Sequence, residues 1–335
     1  MGWFGLRRVR ELGERWIIRV LSETFEPMPD MPIPFGDDVS AIPSGREDIV
    51  VLKTDMLVGK TDVPPGMSLR QAARKAVVMN VSDFAAKGVR PIAALISLGL
   101  PPDLTEGDIR EVALGLNDGA REYGVYIIGG DTNESLDLVI CCMLAGYCNR
   151  KKVVRRGGAR PNDIVAVTGP FGKTSAGLRI LLEGLSPPER IREPLVESVL
   201  MPRARLREGL LLADMGALTA SIDSSDGLAW SLHEISEASG VGFQINNIPV
   251  APEVEEFALE YGFDPLDLSL YGGEEYELVV TIKSDMWDEA KNALKSLGAQ
   301  LIEMGRAISE KKIEANIDGR RIIIERRGWE HFKRG

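Results

Sequence analysis

Residues 68–89, SLRQAARKAVVMNVSDFAAKGV, form an alanine-rich stretch with the spacing of a packed helix. Side chains recur along it every three or four residues and predict one buried face, made of Ala73, Ala76, Val77, Asn80, Val81 and Phe84. Gly88 predicts the end of the helix. Asp83 falls at the edge of the buried face, where an aspartate is a poor helix former and a costly ion to desolvate. The position therefore predicts that something is bound to Asp83.

The composition of the whole chain limits the classes of protein to be considered. It has 335 residues, of which 44% are apolar and 27% charged, and this predicts a globular protein of two domains. A net charge of −10 argues against a nucleic-acid partner, which needs a broad basic surface. No apolar stretch reaches the roughly 18 residues of a membrane span, and no signal peptide is visible. We therefore expect a cytoplasmic protein without a membrane partner.

The order of predicted strands and helices divides the chain near residue 150. The first half mixes β-branched strands with two long helices, which predicts an α+β domain. One of these helices, 105–124, should bury the side that carries Ile109, Val112, Ala113, Leu116 and Ala120. The second half repeats this order of elements without repeating the sequence, which predicts an α/β domain. An amphipathic helix is expected over residues 1–25, packed against the rest of the chain.

Aspartates recur where a backbone can come close to a ligand. Most of them follow a predicted strand or a glycine turn, and one lies on the helix; they are Asp37, Asp38, Asp55, Asp83, Asp131, Asp223 and Asp226. Each alone is most simply a turn-forming residue, but together they predict a shared metal site. With two histidines in the chain and no usable cysteine pair, the donors are oxygens. The metal expected is Mg²⁺, with Mn²⁺ as its substitute.

The number of carboxylates indicates several ions and a highly charged ligand. Mg²⁺ usually takes about one or two protein carboxylates and completes its shell with water and phosphate oxygens. Two carboxylates about 4 Å apart repel by roughly 4 kcal/mol at an effective dielectric constant near 20, so the cluster needs cations. Phosphoryl transfer to an acceptor that is already anionic fits this demand, because two phosphates that repel each other must be held in line.

The segment VTGPFGKTSAG, residues 167–177, resembles a phosphate-binding P-loop but fails its spacing. A P-loop needs a glycine five residues before Gly172, and position 167 is valine. We interpret the segment as a glycine-rich turn from strand to helix, which could offer backbone amides to an anion.

The cysteines and the one basic cluster carry weaker signals. Cys141, Cys142 and Cys148 share one predicted buried strand, where neighbours point to opposite faces and do not share a metal. The basic residues of NRKKVVRRGGAR, 149–160, are interpreted as mainly solvated, with one or two of them able to meet an anion.

Several segments, in this order and spacing, resemble the thiamine-monophosphate kinase family of the aminoimidazole-ribonucleotide-synthetase-like superfamily. They are GDDVSAI, KTDMLV, ARKAVVMNVSDFAAKG, IIGGDT, RRGGARPND, SIDSSDGL, GGEEYEL and GWEHF, and they span about residues 30–332. The resemblance implies direct transfer of a phosphoryl group from ATP to thiamine monophosphate with several Mg²⁺ ions and no phosphoenzyme. It implies a mixed-sheet domain with flanking helices at 1–150, which binds metal and ATP and forms a homodimer, and an α/β domain at 151–335 that completes the active site.

The resemblance also implies roles for individual residues. The implied metal ligands are Asp38, Thr54, Asp55, Asp83, Asp131, Asp223 and Asp226, and of these Asp55, Asp83 and Asp223 are the implied catalytic residues. The implied nucleotide contacts are Gly130, Asp131, Arg156 and Ser225. The implied substrate contacts are Asp62, Glu274 and Trp329. Asp83 would then bridge ions at the centre of the cluster, where a rigid helix fixes its geometry.

Two positions depart from the family pattern. Lys53 stands where the pattern has a serine that binds metal, and Asp62 stands where it has a histidine that contacts the substrate. The lysine removes an oxygen donor but could pair with a phosphate or with a neighbouring aspartate. Asp62 could still accept a hydrogen bond while it adds negative charge.

Two alternatives remain open from the sequence. The first is another enzyme of the superfamily, such as aminoimidazole-ribonucleotide synthetase. Selenophosphate synthetase and the hydrogenase-maturation dehydratase fit poorly, because no cysteine precedes Cys141 and the tail FKRG has no terminal cysteine. The second, suggested by Lys53 and Asp62, is a nucleotide-binding protein without catalytic activity.

Overall fold

The first of two β-sheets lies between residues 40 and 149. The computed structural model describes residues 13–26, 28–33, 36–45, 47–317 and 319–332. The strands of this sheet are β1 (Ser40–Pro43), β2 (Asp48–Val58), β3 (Arg90–Leu100), β4 (Tyr126–Glu134) and β5 (Val139–Asn149). Their spatial order is β1-β2-β5-β3-β4, with only β3 and β4 parallel. The helices of this half of the chain are α1 (Glu14–Thr24), α2 (Gly59–Asp62), α3 (Leu69–Ala86) and α4 (Glu106–Glu122).

The second sheet has seven strands, from β6 to β12. They are β6 (Ile164–Val167), β7 (Leu218–Asp223), β8 (Gly242–Ile245), β9 (Leu278–Ile282), β10 (Ile302–Ile308), β11 (Ile313–Ile317) and β12 (Arg320–Ile323), in the order β12-β11-β8-β10-β6-β9-β7. The accompanying helices are α5 (Lys173–Glu183), α6 (Glu189–Leu200), α7 (Leu206–Asp214), α8 (Leu228–Ser239), α9 (Pro252–Tyr261), α10 (Pro265–Tyr271) and α11 (Trp287–Ser296). The predicted two-domain fold of mixed sheets with flanking helices is confirmed.

Helix α3 has the buried face that its spacing predicted. Ser68 and Gln71 form a capping box at its start, which satisfies two orphan amides. All six residues of the predicted face are buried. The helix ends at Ala86, and Gly88 follows with a φ of 63°, a backbone angle that favours glycine. Because Asp83 lies in the last turn, its carboxylate is fixed by a fully packed helix.

Helix α4 packs against α3 through glycines, which the apolar pattern did not indicate. Ala113 was expected on the buried side and is exposed, so that prediction is wrong. Gly115 and Gly119 are buried instead. A Cβ atom on Gly115 would lie 2.0 Å from the backbone oxygen of Arg70, so the two helix backbones are in contact. Val112, Leu116 and Ala120 of the predicted side are buried. Apolar spacing does not reveal the two glycines, because they have no side chain.

We expect Gly115→Ala to destabilise the protein by about 1–3 kcal/mol, because the added methyl group meets backbone that can move only with the helix. The measurement is urea or thermal unfolding. Gly107→Ala is the matched control on the same helix, since its Cβ would lie 3.5 Å from the nearest atom, the Thr105 hydroxyl oxygen. A loss of stability at Gly107 equal to that at Gly115 would contradict the close-packing explanation.

The C-terminal end of α3 joins the two halves of the chain. A Cβ atom on Gly209 of α7 would lie 2.0 Å from the backbone oxygen of Ala85, so α3 contacts the second half as closely as it contacts α4. One cluster of buried apolar side chains runs from the first sheet through α3 into α7 and β9. Asp83 therefore lies at the junction of the two sheets.

The amino-terminal helix packs onto the second half of the chain. A helix was predicted over residues 1–25. Residues 1–12 lie outside the described residues, and α1 covers Glu14–Thr24 of the predicted range. The guanidinium of Arg15 stacks 3.1 Å from the centroid of the Trp230 ring, which confirms packing within the chain. Among the described residues, no helix is long and apolar enough to cross a membrane.

Candidate active site

Three buried carboxylates meet between the two sheets. Asp38 lies just before β1, Asp83 in the last turn of α3, and Asp223 at the end of β7. Each can offer one oxygen atom such that all three oxygens lie within 4.8 Å of one another. All three residues are at least nine-tenths buried. The fold thus brings together carboxylates that are 45 and 140 residues apart in the sequence.

Lys53 and Asp55 of β2 extend this group from the side of the first sheet. Alternate residues of a strand share a face, and here that face is the one covered by α3. The ammonium nitrogen of Lys53 lies 3.1 Å from Asp55 Oδ1 and 3.0 Å from Asp83 Oδ2. The backbone amide of Asp55 donates to Asn80 Oδ1 at 2.9 Å, which ties the strand to the helix. The acidic cluster of Asp38, Asp55, Asp83 and Asp223 thus includes a lysine.

Two further cations hold Asp38. The Lys87 ammonium lies 2.6 Å from Asp38 Oδ2 and 2.7 Å from Asp37 Oδ1, and the Arg156 guanidinium bridges Asp38 and Glu234. Burial alone would raise the pKa of Asp38, but the charges of Lys87 and Arg156 outweigh it and lower that pKa to about 2. Asp38 is therefore a fixed anion.

The other two buried carboxylates are held as anions less firmly. Burial, followed by the charge of Asp38, raises the pKa of Asp223 to about 7, although Ser82 donates a hydrogen bond to Asp223 Oδ2 at 2.7 Å. Burial also raises the pKa of Asp83 well above its ordinary value; Lys53 opposes this, and the neighbouring carboxylates reinforce it. The cluster thus holds more carboxylates than cations, and a divalent cation would stabilise the ionised forms of Asp83 and Asp223.

Thr54 and Asp131 lie on the other face of the first sheet. Thr54 is exposed, and its hydroxyl oxygen lies 3.3 Å from Cys141 Sγ. Asp131 lies on the edge strand β4, three strands away from β2, and its partner in the sheet is the exposed Ser97 of β3. At an inter-strand spacing of about 4.8 Å, Asp131 is about 14 Å from β2 along the sheet. Within one chain, therefore, neither residue joins the acidic cluster, and Gly130 lies with Asp131 on β4.

Ser225, Asp226, Glu274 and Trp329 meet in a second group on the second half of the chain. The amide of Glu274 donates to the Ser225 backbone oxygen at 2.7 Å, and the amide of Trp329 donates to the Asp226 backbone oxygen at 2.9 Å. The Asp226 carboxylate accepts a hydrogen bond of 3.1 Å from Arg15. The Trp329 side chain is about half exposed. These four sequence-predicted residues thus form one patch.

Lys75 links this patch to Asp62. Its ammonium donates to the Asp62 backbone oxygen at 3.0 Å and lies 2.6 Å from Glu274 Oε1. The Asp62 carboxylate accepts the Val58 amide at 2.7 Å, so it fastens the start of α2. Lys75 is fully buried, and it joins two residues named as substrate contacts from opposite halves of the chain.

The sequence reasoning missed three residues of this region: Lys75, Lys87 and Ser82. Each lies on or next to the helix that carries Asp83, and each contacts a carboxylate. A signal for the lysines was present, because a lysine within a helix whose neighbours are all buried needs an anionic partner. Which carboxylate would meet it depends on the packing of the two halves, and local spacing carries no information on that.

The GKT segment does not present its amides to a free anion. The backbone amides of Gly172 and Thr174 both donate to Glu275 Oε1, at 2.8 and 3.1 Å. Burial raises the pKa of Glu275 to about 8. The helix start that a phosphate would use in a P-loop is therefore filled by a carboxyl group of the chain itself.

We expect Lys173→Ala to leave turnover within a factor of about three, because this lysine pairs with Glu253 at 3.3 Å and partly exposed ion pairs contribute little. Steady-state kinetics with ATP and the acceptor would measure it. A loss of a hundredfold or more would instead assign Lys173 to phosphate binding.

Comparisons with known proteins place this geometry in a family. Residues 36–148 match the family of the AIR synthase related protein, N-terminal domain, and residues 160–318 match the corresponding C-terminal domain. The chain is 38% identical to the thiamine-monophosphate kinase of Nitrosopumilus maritimus, over 85% of this chain and 89% of that protein. It is 37% identical to the thiamine-monophosphate kinase of Pyrococcus abyssi, over 90% of this chain and 91% of that protein.

A solved structure gives the same answer for the whole fold. AaThiL complexed with AMPPCP and TMP superimposes with a TM-score of 0.84 at 29% identity, covering 98% of this chain and 99% of that one. The chain belongs to the thiamine-monophosphate kinase family.

Proposed function

We propose that the chain catalyses the transfer of the γ-phosphoryl group of ATP to the phosphate of thiamine monophosphate. The bond between the γ-phosphorus and the β,γ-bridging oxygen breaks, a bond to an oxygen of the acceptor phosphate forms, and ADP and thiamine diphosphate leave. The observation that carries the proposal is the buried meeting of Asp38, Asp83 and Asp223 between the two halves. The named activity of the relatives and the nucleotide and TMP of the AaThiL complex support it.

The residues present fit a site for Mg²⁺. Carboxylate oxygens are the ligands that this ion prefers. Burial, reinforced by the neighbouring carboxylates, raises the pKa values of Asp83 and Asp223, so a bound cation would stabilise their ionised forms. The metal would be held by Asp38, Asp55, Asp83 and Asp223. Asp226 follows Asp223 by three residues in the sequence and lies in the patch of Trp329. When bound, Mg²⁺ supplies positive charge to the phosphate oxygens during transfer. The chain's own part is to fix these carboxylates on a packed helix and two strand ends.

Removing divalent ions should weaken nucleotide binding by at least about tenfold, because the triphosphate would then face unneutralised carboxylates. The measurement is calorimetric titration with β,γ-methylene ATP, in Mg²⁺ and in EDTA. Equal affinity in the two buffers would argue against metal binding at the acidic cluster.

The remaining site residues fall on two sides of the cluster. On the nucleotide side we place Arg156, whose guanidinium already contacts Asp38. Ser225 would contact the nucleotide from the patch that it shares with Glu274. On the thiamine side we place Glu274 and Trp329, since the half-exposed indole can cover a cationic ring. Asp62 would act there through Lys75, which contacts both it and Glu274.

We further propose that the chain works as a homodimer paired through the domain of residues 1–150. The face of the first sheet that the helices leave uncovered exposes large apolar side chains, including Met56, Leu95 and Tyr147. The edge strand β4 is exposed along its whole length. A second copy seated on this face would cover it and could bring Gly130 and Asp131 of the partner subunit near Thr54, which lies on the same face.

The test of the function is a panel of phosphate acceptors with ATP and Mg²⁺, read by product mass. We expect one ADP and one thiamine diphosphate per turnover with thiamine monophosphate, and no product with unphosphorylated thiamine. Phosphorylation of another acceptor alone would indicate a different enzyme of the superfamily. ATP binding without turnover of any acceptor would indicate the non-catalytic protein.

Light scattering during gel filtration tests the proposed dimer. Met56→Glu places a charge on the exposed apolar face and should shift a dimer toward monomer.

A further inference from the structure

Lys53 pairs with two of the four carboxylates of the acidic cluster. It lies on β2 two residues before Asp55, so the alternation of the strand directs both side chains toward α3. Its ammonium is within 3.1 Å of Asp55 Oδ1 and 3.0 Å of Asp83 Oδ2, and only 19% of the side chain is exposed. A charged group bridges two carboxylates there as a bound cation would.

Lys53 is the cation that neutralises Asp55 and Asp83. Five carboxylates converge here, those of Asp37, Asp38, Asp55, Asp83 and Asp223, against the three cations Lys53, Lys87 and Arg156. Lys87 and Arg156 both pair with Asp38. Over the part of the chain that the structure describes, Lys53 is the only lysine or arginine within 4.0 Å of Asp55 or Asp83. Without Lys53, these two carboxylates would need a cation from solution.

We propose that the Lys53 ammonium takes the place of one divalent cation in the acidic cluster, so that this chain binds one ion fewer than the same chain with a metal-binding serine at position 53. A lysine has three donors and no acceptor, so it satisfies carboxylate oxygens but offers no ligand to a metal. Its positive charge also disfavours a second cation at the same pair of oxygens. The inference rests on the proposed Mg²⁺-dependent function of the cluster.

The deciding experiment counts ions in the wild type and in Lys53→Ser. Mn²⁺ bound per chain is measured by equilibrium dialysis and electron paramagnetic resonance, with β,γ-methylene ATP and thiamine monophosphate present. We expect one more Mn²⁺ per chain in Lys53→Ser, and the wild-type number in Lys53→Arg, which keeps the charge. The same number in Lys53→Ser as in the wild type would overturn the inference. If neither chain binds Mn²⁺, the proposed metal-dependent function itself fails, and the inference fails with it.

A second measurement needs no ligand. In EDTA, Lys53→Ser should melt about 5 °C or more below the wild type, because two partly buried carboxylates lose their partner, and Mg²⁺ should restore most of the difference. Lys151→Ser is the matched control, since Lys151 is 78% exposed and pairs with Glu47 on the surface. Equal melting of Lys53→Ser and the wild type in EDTA would also overturn the inference. If Lys53→Ser does not fold even with Mg²⁺, Lys53→Gln, which keeps most of the packing, is measured instead. A lower melting temperature in EDTA that Mg²⁺ restores would support the inference, and melting equal to the wild type in EDTA would overturn it.

Discussion

Replacing Asp83 by asparagine should lower the turnover of thiamine monophosphate by at least about a hundredfold, the usual size of a lost electrostatic contact to a transition state. Asp83 is the one carboxylate of the cluster carried by a helix. It lies 3.0 Å from the Lys53 ammonium and within 4.8 Å of oxygens of Asp38 and Asp223. An amide keeps the shape of the side chain but provides neither the charge nor the second anionic oxygen. The measurement is kcat with ATP and Mg²⁺ in excess.

The same variant should not lose stability, which separates a role in catalysis from a role in folding. Burial and the neighbouring carboxylates raise the pKa of Asp83, so its ionised form is disfavoured in the folded protein. In EDTA we therefore expect Asp83→Asn to melt at or above the wild-type temperature. Asp118→Asn is the control, because Asp118 pairs with Arg70 on the surface of the same helix pair. Turnover within a factor of about ten of the wild type would remove Asp83 from the proposed mechanism.

The sequence predicted the elements that carry the site better than it predicted the site itself. Three- and four-residue spacing gives the buried face of α3, because a single helix decides it locally. The strand end predicted Asp223, since ligands bind at strand ends in layered folds. The partners of these residues come from packing between the two halves, and 141 residues separate Ser82 from the carboxylate that it contacts. Such pairs leave no local pattern.

Thr54 shows a second limit of sequence reasoning. It stands between Lys53 and Asp55, and the resemblance named it as a metal ligand together with Asp55. Adjacent residues of a strand point to opposite faces, so within one chain Thr54 cannot share the side of Asp55 that faces α3. The same reasoning applies to Asp131, which is on the outer face and on the edge strand. Strand alternation therefore separates both residues from the buried aspartates within one chain.

Replacing Lys87 by methionine should cost about 3–5 kcal/mol of stability, the usual effect of removing one partner from a buried ion pair. The Lys87 ammonium is completely buried, lies 2.6 Å from Asp38 Oδ2 and 2.7 Å from Asp37 Oδ1, and donates to the Ser221 backbone oxygen at 2.8 Å. It thus ties the end of α3 to the loop before β1 and to β7 of the second sheet. Methionine fills a similar volume but leaves both carboxylates without this charge, so only Arg156 remains for Asp38.

The measurement is thermal unfolding in EDTA, where a midpoint about 10 °C below the wild type is expected for a loss of this size. Lys152→Met is the control, because Lys152 is 67% exposed and lies 3.7 Å from Asp214, and exposed pairs contribute about 0–1 kcal/mol. Mg²⁺ should recover part of the loss in Lys87→Met, since an ion near Asp38 replaces some of the missing charge, but it cannot replace the bond to Ser221. Full recovery with Mg²⁺ would show that Lys87 acts only by neutralising Asp37 and Asp38, and a midpoint within about 2 °C of the wild type in EDTA would show that the two halves are held together without it.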